Sequence, residues 1–254
     1  PDGSGSWAEG RVALAHRRLM VIDLSEAGHQ PMVDPTTGLT GVFNGCIYNY
    51  RELRAELEAK GHRFFSTGDT EVVLKAYTQW GLNFVDRLIG MFAIAIVEPH
   101  SGRVVLARDR LGIKPLYLVE TPTAVRFAST LPALLAGRTG RSDDVPVDTS
   151  IDPVALAHYL SFHSVVPAPR TILNGVRKLP PATVRVYDPG LGGRDFVYWT
   201  PDFSRNPEHA GWSDRDWQDA LQASLTTAVR RRTVADVPVG VLLSGGLDSS
   251  LVVA

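Results

Sequence analysis

The stretch VFNGCIYNYREL, residues 42–53, leads from an apolar strand into an amphipathic helix. Read locally, the strand ends at Phe43, Asn44-Gly45 makes a tight turn, and a second strand-like segment runs on into the helix. An Asn-Gly pair between apolar runs is ordinarily a hairpin signal and no more. Its company sets this pair apart. ALAHRRLMVIDLSEAGHQPM (13–32) precedes it, and STGDTEV (66–72) and LARDRLGIKPLY (106–117) follow.

Outward from this segment, YRELRAELEAKG (50–61) puts Leu53 and Leu57 on one helix face, with Gly61 as the stop. DTEVVLKAYTQWG (69–81) reads as a second helix ending at Gly81. MFAIAIVEPHSGRVVLARDR (91–110) reads as two strands around a PHSG turn. PLYLVE and AVRFAS flank another turn. Short strands, turns and two helices mixed this way predict an α+β domain over residues 1–200, not regular βαβ units. PDFSRNPEHAG is polar and rich in turn residues, so residues 201–212 read as a linker. From 213 to 254 a helix, with Trp217, Leu221, Leu225 and Val229 at helical spacing, leads to a further strand and loop.

That last stretch is GVLLSGGLDSSLVVA, residues 240–254. The apolar run from Val237 to Leu243 suits a strand buried on both faces of a parallel sheet. Ser244, Gly245 and Gly246 let the chain turn tightly, and Asp248, Ser249 and Ser250 suit the opening of a helix. Free N–H groups at such a turn favour an anion. No lysine follows the glycines, so this is not the common GxxxxGK[ST] phosphate loop. Asp248 instead offers a carboxylate that could hold Mg²⁺ against phosphate oxygens.

The composition is that of a soluble cytoplasmic protein. The chain has 254 residues and a net charge of −1. Its charges are dispersed, leaving no footprint for nucleic acid or an anionic membrane. No apolar stretch approaches the ~20 residues that span a bilayer. PDGSGSWAEG has none of the regions of a signal peptide. The single cysteine, Cys46, excludes an internal disulfide framework and a cysteine-based zinc cluster.

SGGLDSS resembles the pyrophosphate loop of ATP pyrophosphatases, and LLSGGLDSS the form found in asparagine synthetases. The resemblance implies ATP and Mg²⁺ as cofactors. Ser244, Gly245, Gly246, Leu247, Asp248, Ser249 and Ser250 would cradle the pyrophosphate, Asp248 would hold the metal, and the Leu242 backbone would touch the adenine. The four upstream blocks resemble the glutamine amidohydrolase domain of the same family. They match its H-x-R-L, F-N-G-x-I-Y-N, T-G-x-D-x-E-V and D-R-x-G-x-K-P-L-Y stretches. That implies an N-terminal-nucleophile hydrolase fold, an αββα sandwich, followed by the start of an α/β ATP-pyrophosphatase domain.

Carried over residue by residue, Arg18 would pair with the α-carboxylate of glutamine. Asn44 (side-chain amide) and Gly45 (backbone N–H) would form the oxyanion hole, and Asp69 would receive the α-amino group. The plainer readings are a surface arginine for Arg18 and a helix cap for Asp69. Cys46 stands where asparagine synthetases carry glutamate, in the glutamine site. It lacks a partner histidine in a matching motif, so it reads as a small, partly buried side chain and not as the nucleophile. The family's nucleophile is an N-terminal cysteine, whereas this chain opens with Pro1. PDG resembles the end of a family stretch lying after that cysteine, so the chain reads as truncated at both ends and inactive by itself.

Cys46, with DPVALAHYLSFHSVVPAPRTIL and VRKLPPATV, resembles the N-acetylglutaminylglutamine amidotransferases, which make an osmoprotectant dipeptide amide. The expected activity is transfer of ammonia from glutamine to an adenylated carboxylate, with release of AMP and pyrophosphate. Asparagine synthesis is the alternative. Further alternatives are an ATP-dependent ligase with a degenerate first domain and an inert piece. Expected partners are glutamine, ATP and a carboxylate acceptor; a homodimer is left open.

Overall fold

In the computed structural model, which describes residues 2–136 and 146–254, the strand Gly90–Glu98 (β5) is buried on both faces. Its side chains divide by the two-residue period of a strand. Phe92, Ile94 and Ile96 point to one core, Ala93 and Ala95 to another. β5 lies inside a six-stranded sheet ordered β11-β10-β6-β5-β4-β3. The members are β3 (Met32–Val33), β4 (Thr40–Ile47), β6 (Arg103–Arg108), β10 (Thr183–Tyr187) and β11 (Arg194–Val197). Every neighbouring pair in it is antiparallel.

One face of this sheet is covered by α1 (Tyr50–Ala59), α2 (Asp69–Trp80) and the short α3 (Phe84–Arg87). Leu53, Leu57, Val72, Val73, Phe84 and Val85 meet Ile94, Val105 and Val184 there. Each such side chain, fully buried, contributes ~1.5–3 kcal/mol. The other face carries Ala93, Ala95 and Leu106, and the two small alanines let a second sheet lie against it through Leu116, Leu118 and Leu179. That sheet is ordered β8-β7-β9, from β7 (Tyr117–Glu120), β8 (Val125–Ala128) and β9 (Arg177–Lys178). Its far face packs Val119 and Val176 on Leu134 of α4 (Leu131–Ala136). The layers therefore run helix, sheet, sheet, helix, the expected sandwich.

The hairpins predicted around PHSG and around the turn before AVRFAS are present as β5–β6 and β7–β8. Both expected helices form, and Gly81 closes α2 with a positive φ of 56°. Three further helices were not anticipated: α3, α4 and α5 (Pro153–Ser161). The first two are too short to show a period. α5 is apolar nearly all round and is set by its cap, Asp152, whose carboxylate accepts from the N–H groups of Val154 and Ala155. A separate hairpin of β1 (Gly3–Glu9) and β2 (Val12–Arg18) was also missed in part. GSGSWAE has little strand propensity of its own and is extended because it pairs with β2.

Two expectations fail. Asn44 and Gly45 do not form a turn. β4 runs unbroken through both, paired to Ala93 and Phe92. Gly45 is there because the β5 backbone comes close, since a Cβ at this position would lie 2.1 Å from the Met91 carbonyl oxygen. Residues 237–243 form no strand, because no described segment pairs with them and a strand exists only in its ladder. Past β11 no regular element occurs until α6 (Asp214–Arg232), except a single 3₁₀ turn at Pro207–His209. α6 opens with a reciprocal Ser213/Asp216 capping box, and the glycine turn after 243 leads into α7 (Leu247–Val253). No helix among the described residues is long and apolar enough to cross a membrane.

Candidate active site

β4 presents its odd-numbered N–H and C=O groups away from β5, toward the edge where β3 ends. Two positions on that edge are filled by side chains. Phe43 N–H donates to Gln30 Oε1 at 2.7 Å, and Ile47 N–H donates to Asp69 Oδ2 at 3.0 Å. Gly45 lies midway between them on the same edge. Gln30 in turn donates from Nε2 to Thr70 Oγ1 at 3.2 Å, tying the strand to the first turn of α2. Even-numbered side chains face the second sheet, where Asn44 Nδ2 donates to Ser129 Oγ at 3.2 Å.

Asp69 is the first residue of α2, after Gly68. It therefore does not cap the helix in the usual position, yet its carboxylate draws donors from Ile47, from its own N–H and from Thr70. Burial outweighs these donors and the nearby Arg18, and pushes the carboxyl up to about 6. The same carboxylate acts on Cys46. Burial first, and Asp69 second, push the thiol up to about 12. A thiol held protonated in this way is a poor nucleophile. Iodoacetamide at pH 8 is expected to alkylate Cys46 roughly 10³-fold more slowly than free cysteine. Mass spectrometry reads the difference, and rapid labelling would reverse the assignment.

Arg18, at the end of β2, is buried and reaches into the turn at residues 22–25. Nη1 donates to Ser25 O at 3.0 Å and Nη2 to Ile22 O at 3.2 Å, with a second, short bond from Nη2 to Asp23 O. These bonds commit both Nη2 hydrogens. A carboxylate can then be met only by a single bond, from Nε–H or from the remaining Nη1 hydrogen, because both bidentate edges of the fork include Nη2. Gly28 leaves room for this guanidinium, since a Cβ there would lie 2.1 Å from Nη2.

Arg18, Cys46 and Asp69 thus share one electrostatic neighbourhood, with Asn44 and Gly45 preceding Cys46 on β4. The segment containing Leu242 and residues 244–250 is separate and mostly exposed. There Gly245 has φ +80°, Ser244 Oγ lies 3.0 Å from Ser249 Oγ, and Ser249 and Ser250 donate to Gly246 O. Among the described residues no group of three or more acidic, histidine or cysteine side chains could hold a metal; Asp248 stands alone. Gln30 and Thr70 escaped the sequence reading. Both lie within or beside the quoted motifs, but Gln30's bond to the Phe43 backbone and Thr70's to the Gln30 side chain leave no spacing signal.

Two antiparallel sheets between helix layers, with a polar strand edge facing a buried carboxylate, make an α+β sandwich domain. Residues 1–199 match the sequence model of the glutamine amidotransferase domain, and the chain belongs to that family. Residues 220–254 match the model for asparagine synthase. Asparagine synthetase (glutamine-hydrolysing) 3 of Bacillus subtilis is 34% identical over 256 residues, spanning 100% of this chain and 40% of that protein. Asparagine synthetase (glutamine-hydrolysing) 1 of the same organism is 36% identical over 254 residues, 100% of this chain and 38% of that protein. The chain thus spans about 40% of the length of the first of these relatives. In fold it is similar to the glutamine phosphoribosylpyrophosphate amidotransferase of B. subtilis, with a TM-score of 0.50 and 18% identity. That match covers 74% of this chain and 35% of that one.

Proposed function

We propose that this chain forms the glutamine-binding side of an ATP-dependent amidotransferase that converts a carboxylate to an amide. The observation that carries the reading is the β4 edge. Gly45 N–H lies between positions filled by Gln30 and Asp69, with the Asn44 amide on the preceding residue of the strand. Two such donors suit an oxyanion developing on the glutamine side-chain carbonyl, each contributing ~3 kcal/mol. Asp69 takes the α-ammonium and Arg18 the α-carboxylate. With Cys46 in place of a second carboxylate, Asp69 carries the ammonium by itself.

The glycine turn at 244–246 has room for a nucleotide: Gly245 has a φ of +80° with nothing within 4 Å of where a Cβ would stand. Ser244 to Ser250 would hold its phosphates, the Leu242 backbone its base, and Asp248 a Mg²⁺. ATP, when bound, supplies the activation of the acceptor as an adenylate, with AMP and pyrophosphate released. For the acceptor, the subfamily pattern around Cys46 favours a dipeptide, N-acetylglutaminylglutamine. The names of both Bacillus relatives favour aspartate. Glutamine-dependent AMP formation, measured with each acceptor in a protein of the relatives' length, separates the two.

Glutamine binding by the chain, measured by calorimetry, tests the first half directly. The Asp69 carboxyl is raised, so the folded chain holds its proton between the ordinary value near ~4 and about 6. Folding stability from this group therefore falls as pH rises across that window. Binding an ammonium needs the ionised form. Affinity for glutamine is expected to rise ~10-fold from pH 5 to pH 7, as ionisation predicts for a group titrating near 6. Asp69→Asn should flatten the profile and weaken binding throughout. A profile unchanged by the substitution would remove Asp69 from the site.

A further inference from the structure

Both residues assigned above to the glutamine α-carbon are tied to one buried residue. Asp23 is 2% exposed and holds φ +56°, a left-handed conformation that costs a non-glycine residue free energy unless its surroundings fix it. Its carbonyl oxygen accepts from Arg18 Nη2. Its carboxylate accepts from Ser25 N–H at 3.0 Å and from Thr67 N–H at 2.8 Å, two residues before Asp69. The turn carrying Thr67 packs tightly on it, since a Cβ at Gly68 would lie 3.2 Å from Asp23 Cβ. Burial works to raise the Asp23 carboxyl, and the donors from Ser25 and Thr67 more than offset it, so it sits below the usual range. One residue therefore sets where the Arg18 guanidinium ends and where α2 begins.

The remaining backbone group of Asp23 is gripped from far along the chain. Its N–H donates to Asp236 Oδ2 at 2.8 Å, and Asp236 N–H donates back to Val21 O at 2.8 Å. Asp236 follows α6 and lies eight residues before Ser244, inside the 220–254 stretch that matches asparagine synthase. Its other carboxylate oxygen makes only a loose, exposed contact of 3.9 Å with Arg51. Such an ion pair contributes little. The two bonds to residues 21 and 23 are what make Asp236 a clasp.

We propose that Asp23 is a positioning residue for the glutamine site, and that Asp236 locks it, so that glutamine affinity depends on the segment leading to the glycine turn. The inference rests on the reading of Arg18 and Asp69 as glutamine contacts. Physically, loss of the Asp236 acceptor frees the Asp23 peptide to leave its left-handed conformation. The Asp23 carbonyl then turns from Arg18 and its carboxylate from Thr67, and the two glutamine contacts lose their fixed separation. A misplacement of this kind weakens binding without unfolding the domain.

The test uses the 254-residue chain, L-glutamine as probe, and Asp236→Ala beside Asp236→Asn. The asparagine keeps an acceptor oxygen for Asp23 N–H and drops the charge opposite Arg51. Asp236→Ala is expected to weaken glutamine binding ~10-fold in calorimetry, with Asp236→Asn within ~2-fold of the parent. Melting of either variant should shift by no more than about 3 °C, because residue 236 is not part of the core. Hydrogen exchange at the Ser25 and Thr67 amides should quicken in Asp236→Ala and not in Asp236→Asn. Equal glutamine affinity in all three chains overturns the proposal, as does an Asp236→Asn loss matching that of Asp236→Ala. If the parent chain itself fails to bind glutamine, the functional reading fails. The positioning claim is then decided by exchange alone, and unchanged Ser25 and Thr67 amides in Asp236→Ala refute it.

Discussion

Gly45→Ala is expected to destabilise the chain by about 3 kcal/mol, the upper range for forcing an atom into a packed site. The new Cβ would stand 2.1 Å from Met91 O, 2.7 Å from Phe43 Cε2 and 2.8 Å from Phe92 Cα. Two of these are backbone atoms of β5, so no side chain can swing away to make room. β4 and β5 must part where both sheets and the α1–α2 layer depend on them. At ~2–4 °C per kcal/mol for a chain of this size, the midpoint should fall by roughly 6–12 °C. Glutamine binding should be lost too, because the N–H between Gln30 and Asp69 shifts with the strand. Gly211→Ala is the control, since nothing lies within 4 Å of its Cβ position and its φ is not positive. A Gly45→Ala chain melting within about 2 °C of the parent would mean that β5 does not pass this close.

Lys75→Met should cost about 3–5 kcal/mol, as breaking one side of a buried ion pair does. Lys75 Nζ donates to Asp34 Oδ1 at 2.9 Å, and the two side chains are 4% and 0% exposed. Removing the ammonium strands a buried carboxylate with only the Thr36 N–H and the Thr37 hydroxyl beside it. Asp34→Leu with Lys75→Met should recover most of the loss, because neither charge then needs a partner. The pH dependence has a definite sign. Burial tends to raise the Asp34 carboxyl, and Lys75 and Thr36 more than offset this and hold it below the usual range. The stability it contributes is complete above the ordinary carboxylate value near ~4 and is lost as pH falls through the lower, folded value. In Lys75→Met the carboxyl rises instead, so the gap between variant and parent should narrow as pH falls from 7 toward 4. Urea unfolding at pH 4, 5 and 7 measures it, and a constant gap would show that Asp34 does not depend on Lys75.

What could be read without coordinates was whatever the chain decides locally. Leu53 and Leu57 one helical turn apart, Gly81 after an apolar period, and PHSG between two apolar runs each announce an element from nearby residues. β1 and the 237–243 run show the limit of such reading. Pairing across a ladder makes a strand of GSGSWAE, and for want of a described partner VPVGVLL is none. Asn44-Gly45 was read as a turn for the same reason. A glycine needed for a left-handed turn and one needed for a passing backbone look alike in sequence, and only the position of Met91 tells them apart. The residues proposed to meet glutamine lie in motifs that the sequence displays, but the groups that hold them in place leave no such mark. Asp23 and Gln30 act through bonds to peptide groups well along the chain and Thr70 through the Gln30 side chain, and no periodicity encodes those.

The polar edge of β4 has a consequence for how the protein keeps company with itself. A sheet edge with several free N–H and C=O groups in a row is a template for another chain, and β4 runs well past the two residues that β3 covers. Gln30 and Asp69 occupy the alternate N–H positions on either side of Gly45, so no two successive donors on that side remain open to an incoming strand. The side chains proposed to frame the glutamine site therefore also insulate that edge from strand addition. A single exposed donor can serve a small molecule, but it cannot seed a sheet.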